Sequence, residues 1–95
     1  MRKITQEAVS AFINGKNYRS GNTQVNQRIG GMELLLHSNI IAVDTGEGLK
    51  ITNAGWKSNT TKERLNGLPN VSIQQIKGQW YLNGQKWNGE WIKVN

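Results

Sequence analysis

The chain has no cysteine in its 95 residues, which excludes disulfides, thiolate nucleophiles and Cys-based zinc sites and makes an intracellular setting the expectation. Proton carriers are almost as scarce. There is one histidine, His37, and the six carboxylates Glu7, Glu33, Asp44, Glu47, Glu63 and Glu90 are scattered along the sequence. Catalysis needs a poised proton carrier or a metal, and no serine triad or histidine-rich metal site can be assembled from this inventory. The expectation is a protein that is not an enzyme and carries no cofactor. Apolar runs such as Leu34-Leu35-Leu36 are far too short to span a bilayer, and the start, Met1 to Glu7, lacks a signal-length apolar stretch, so neither export nor membrane insertion is expected.

What is present is basic, glycine-rich and aromatic at one end. Hydrophobic residues make up 36% and charged residues 19%, and 95 residues allow one modest core, so a single domain over 1–95 is expected. Eleven glycines and one proline imply many turns. The net charge of +6 is uneven: residues 1–47 carry five basic and four acidic side chains (+1), residues 48–95 seven and two (+5). A positive balance favours phosphate-bearing partners, and it is also a common solubility device.

Local patterning predicts the elements. Thr5 reads as the N-cap of a first helix, with Ile4 and Val9 as a hydrophobic staple and Gly15 as the stop; Ile4, Ala8, Ala11 and Phe12 share a face that should lie on a sheet. Residues 16–23 read as a loop. Strand signals follow at 23–29, at 32–43 with a kink at His37-Ser38-Asn39, and at 49–53. The runs Leu34-Leu35-Leu36 and Ile40-Ile41 break simple alternation, which implies a bulge or cover on both faces. A second short helix is predicted from Thr60 as N-cap with Glu63 in a capping box, ended by Gly67 and Pro69. Short strands then turn at Lys77-Gly78 and Asn83-Gly84. The fold class is α+β: an antiparallel sheet of about five strands, an N-terminal helix, a short second helix and a C-terminal aromatic hairpin.

Several features could carry chemistry. His37 beside an apolar run reads first as a structural or surface histidine. Asp44 and Glu47 flank a hairpin and read as a solvated turn before they read as a cation site. The glycine pairs do not precede a helix as a phosphate loop requires. The start of the second helix, Asn59-Thr60-Thr61-Lys62, suits a phosphate through its free amides, hydroxyls and lysine, although an ordinary capped helix has the same sequence.

The best candidate is the interleaving of basic and aromatic residues. Trp56, Lys57, Lys62, Arg64, Lys86, Trp87 and Lys93 supply phosphate contacts and stacking rings of the kind that single-stranded nucleic acid or nucleotide binding uses. The last sixteen residues hold three of the four tryptophans, and tryptophans on strands also pack small sheets, so the two uses must be separated. Alternation places Trp80 with Leu82 on one face and Tyr81 on the other, making Trp80 core and leaving Trp56, Trp87 and Trp91 as exposed candidates.

The segments Tyr18 to Thr23, Leu36 to Ala42, Gly55-Trp56, Thr60 to Asn66, and Trp80 to Gly84 with Trp87 to Trp91 together resemble a family of small proteins encoded by tailed bacteriophages and prophages. The likeness covers nearly the whole chain, and its most specific pieces are Thr-Thr-Lys-Glu-Arg-Leu-Asn and Trp-Tyr-Leu-Asn-Gly. It implies action in the host bacterial cytoplasm, where small phage accessory proteins bind nucleic acid or a host protein. The predicted order of helix, three strands and helix is also similar to the double-stranded-RNA-binding domain, but only Lys62 and Arg64 stand where that family has a lysine cluster, so the analogy is one of fold. Two functions follow as expectations: binding of nucleic acid or a nucleotide through the basic, aromatic C-terminal half, or inhibition of a host or anti-phage defence protein through exposed aromatic anchors. Oligomeric state is not encoded legibly.

Overall fold

The computed structural model describes residues 2–94. Its elements in chain order are α1 (Lys3–Ile13), β1 (Tyr18–Ser20), β2 (Thr23–Arg28), β3 (Gly31–Leu36), β4 (Asn39–Asp44), β5 (Leu49–Ile51), α2 (Asn59–Asn66), β6 (Ile73–Ile76), β7 (Gln79–Leu82), β8 (Gln85–Lys86) and β9 (Ile92–Lys93). The class is α+β with antiparallel pairing throughout. The strands form two sheets, one of six strands in the order β1-β2-β3-β4-β5-β9 and one of three in the order β6-β7-β8. The C-terminal aromatic segment is therefore split: β7 and β8 belong to the small sheet, and β9 returns to the edge of the large one.

Four local expectations change. Helix α1 starts before Thr5, with Arg2 as its N-cap residue and no side-chain cap, because Thr5 is wholly buried inside the first turn and its hydroxyl serves Arg64. Residues 18–20 are a strand rather than a loop. A two-residue connection with Gly21 at φ +55 folds them back on β2, and a three-residue strand is too short for alternation to reveal. The kink at His37-Ser38 is a complete hairpin turn between β3 and β4, with both residues left-handed at φ 51 and 66, as a two-residue primed turn requires. Ser58, not Thr60, caps α2, its Oγ accepting from the Thr61 amide at 3.1 Å. Glu63 does not close a capping box; its carboxylate accepts from the Arg2 amide at 3.0 Å instead.

The expected irregularity around Leu34-Leu35 is a register shift between β3 and β4 that leaves Ile41 unpaired and buried. Leu34 and Leu36 point into the core while Leu35 points out on the opposite face. One face of the six-stranded sheet thus presents Val25, Leu34, Ala42 and Ile51 in register, and α1, α2 and the small sheet cover it through Ala8, Phe12, Leu65, Ile73, Trp80, Leu82 and Trp87. Where α2 ends against α1, Gly67 makes the approach possible: a Cβ there would lie 2.8 Å from methyls of Thr5 and Val9. Among the described residues, no helix is long and apolar enough to cross a membrane.

Candidate functional site

The chain leaves β5 through a tight turn that sets up a cleft. The Trp56 amide donates to the Asn53 carbonyl at 2.8 Å, and the Asn53 side-chain oxygen accepts from the Gly55 amide at 2.8 Å. Ala54 and Gly55 between them are both left-handed, at φ 55 and 84. An alanine in that region costs about 1–2 kcal/mol, so the turn holds strain that the Asn53 side chain offsets locally. The Thr52 hydroxyl and the Asn53 amide both donate to the Gly89 carbonyl, which anchors the turn to the C-terminal segment.

Trp56 emerges from this turn, Lys57 follows it into solvent, and Ser58 starts α2. Between the turn, the helix start and the β3–β4 hairpin lies a cleft of about 180 Å³. Leu36, Ile41 and Trp56 form its apolar walls, and His37, Asn53, Ser58, Thr60 and Thr61 supply its polar atoms. Asn53 is only 2% exposed, and its Nδ2, set against Gly89, is a buried donor with no partner among the described residues. Leaving such a donor unmet costs on the order of 1–3 kcal/mol. The first turn of α2 adds backbone amides at the positive end of its dipole.

The seven residues singled out from sequence do not converge. Trp56, at 62% exposure, lines the cleft, and Lys57, its exposed chain neighbour, is not among the lining residues. Lys62 is half-buried, its Nζ donating to the Gln75 side chain at 2.8 Å and lying 6.0 Å from the Trp80 ring centre, so it is tethered across to the small sheet. Arg64 is 1% exposed and cannot meet a phosphate. Its guanidinium donates to the Thr23 and Thr5 hydroxyls at 2.9 and 2.8 Å, and burial, with the charge of Arg2, pushes it below its usual pKa against the opposing pull of Glu63 and Tyr18. Lys86 is exposed on β8 of the small sheet, and Lys93 is exposed on β9 at the edge of the large one.

Trp87 is corrected from exposed to buried, at 2%. Its indole N–H donates to the Glu90 carbonyl at 2.9 Å, and its ring packs 6.1 Å from Trp80 at 41°. Trp80 is wholly buried, as alternation requires, and Trp91 is half-exposed. Sequence reading missed Asn53. The signal was available in Asn53-Ala54-Gly55, a side chain that hydrogen-bonds two residues on, next to a glycine. Trp56 and the threonines at the start of α2 are legible in the sequence, and the structure brings them into one cleft with Asn53.

A model of the protein family described as Kyanoviridae Gp96 protein matches residues 1–94. No curated protein and no solved structure matches this chain.

Proposed function

The chain belongs to the phage-encoded Kyanoviridae Gp96 protein family, and from that premise we propose that it is a non-enzymatic accessory protein of the infected bacterium that binds single-stranded nucleic acid or a nucleotide at the Trp56 cleft. The observation that carries this reading is that an exposed indole and the hydroxyls at the start of α2 line one small cleft. A base stacked on Trp56 gains on the order of 1–3 kcal/mol, and its polar edge meets the hydroxyls of Ser58 and Thr60. The helix start then faces the attached phosphate, which the dipole and the free amides of a helix N-terminus favour, and Lys57 is the nearest lysine in sequence to both Trp56 and that helix start. At about 180 Å³ the cleft suits one ring rather than an extended ligand.

Fluorescence anisotropy with labelled single-stranded DNA, single-stranded RNA and duplex tests this. The reading requires binding that prefers single strands, whose bases are free to stack, and that weakens as salt rises. Absence of binding at low salt, or equal binding of duplex, contradicts it.

A further inference from the structure

Among the described residues, α1, α2 and the small sheet pack on one face of the six-stranded sheet and leave its second face open. Register places Gln24, Leu35 and Ile40 in one row on it and Asn26, Glu33, Val43, Lys50 and Lys93 in the next. Leu35, Ile40 and Val43 are half-buried, yet they are absent from the core and from the partly buried residues packed against it. With Glu33 at the fourth position they form a separate, largely aliphatic strip on β3 and β4, apart from the core of the described residues.

Cations flank that strip on both sides. Arg19 is on the β1 edge, Arg28 is on β2, and Lys50 and Lys93 face each other directly across β5 and β9. Among the described residues the one carboxylate that register places on the face is Glu33, bonded to Arg28 at 2.8 Å, so four positive charges less one negative give +3 there. Like charges directly opposite one another on neighbouring strands are unfavourable, and Lys50 with Lys93 is such a pair, waiting for a counter-charge.

We infer that this open face is a docking surface for an acidic, amphipathic helix of a partner protein. Two adjacent strands about 4.8 Å apart give an apolar strip about as wide as a helix of about 10 Å diameter, and carboxylates on both flanks of that helix reach Lys50 and Lys93 on one side and Arg19 on the other. A nucleic-acid backbone offers nothing apolar to Leu35, Ile40 and Val43. A second copy of this chain would bring +3 against +3. The inference stands apart from the Trp56 cleft, which opens on the covered side of the sheet.

The test is a titration of the ¹⁵N-labelled full chain with a synthetic helical peptide carrying leucines at i, i+3, i+4 and i+7 spacing and glutamates on both flanks. A second peptide of the same composition is reordered to destroy the stripe, and a single-stranded oligonucleotide serves as the competing class. Docking predicts saturable shifts at Leu35, Ile40, Val43 and Lys50, weakened about tenfold or more for the reordered peptide and for Lys50→Glu, whose core resonances report that it folds. The inference is overturned by no saturable shift on these residues, by equal affinity for the reordered peptide, or by the oligonucleotide occupying the same face. Shifts at Asn53 and Trp56 report the cleft separately, so failure of one site is distinguishable from failure of the other.

Discussion

Asn53 and Gly89 lock two distant parts of the chain together: the Asn53 amide donates to the Gly89 carbonyl at 3.0 Å, and the Asn53 side chain packs directly on the bare Cα of Gly89. Gly89 also holds φ +97, a conformation that L side chains rarely adopt. Gly89→Ala should therefore drive a methyl into the Asn53 amide and strain the backbone at once, costing about 2–4 kcal/mol in urea unfolding and weakening oligonucleotide binding by displacing the cleft floor. Unchanged stability would mean that this junction is looser than the geometry states.

Arg64 should behave as a structural residue. It joins α1, α2 and β2 through hydroxyls 59 and 41 residues away, and among the described residues it has no carboxylate ion pair. Arg64→Ala leaves a cavity and removes the hydrogen bonds that tie α2 to the Thr5 and Thr23 hydroxyls, an expected loss of about 2–4 kcal/mol. Arg64→Lys should also destabilise, because one ammonium cannot reproduce the guanidinium fork. The folded Arg64→Lys protein should keep its oligonucleotide affinity, which anisotropy checks.

Those two cases show where the sequence stops being legible. Capping residues and glycine stops gave both helices to within a few residues, and Asn83-Gly84 and Lys77-Gly78 gave two hairpins because their chemistry is local. His37-Ser38 hid a third, since neither residue favours a left-handed backbone enough to announce the turn. Trp87 follows a two-residue strand, so alternation could not say which way it faces. The burial of Arg64 depends on Thr5 and Thr23, partners that no window of sequence contains. The cleft was half legible: Trp56 and the start of α2 were visible, while Asn53 became part of it only once β5 and Gly89 were brought together.

Lys50→Glu should raise stability. It converts the like-charge Lys50–Lys93 pair across β5 and β9 into an opposite-charge pair, a gain of about 0.2–1 kcal/mol measurable in thermal or urea unfolding. The same change is expected to weaken acidic-peptide docking, so stability and docking move in opposite directions. A loss of stability would show that the two side chains do not share a face.

Glu63 sets an acid limb. Burial raises its carboxyl, but hydrogen bonds from the Arg2 amide and the Thr5 hydroxyl and the charge of Arg64 outweigh that and hold it below its ordinary 4.5. A depressed carboxylate contributes stability that is fully present above its unfolded value and lost as pH falls through the folded one. Glu63→Gln should thus be less stable than the parent at neutral pH, with the difference fading below pH 4.5. A gap that persists unchanged into strong acid would assign the effect to packing instead.

The cleft itself is tested most directly by the single-stranded oligonucleotide affinity of Trp56→Ala, measured by anisotropy beside the parent and Trp91→Ala, with thermal unfolding as a control. Loss of one stacked base predicts a drop of about tenfold or more for Trp56→Ala at unchanged stability, because the ring is exposed and supports no core. Trp91→Ala should stay close to the parent. Equal affinity of Trp56→Ala and the parent would contradict the account, whatever the oligonucleotide bound.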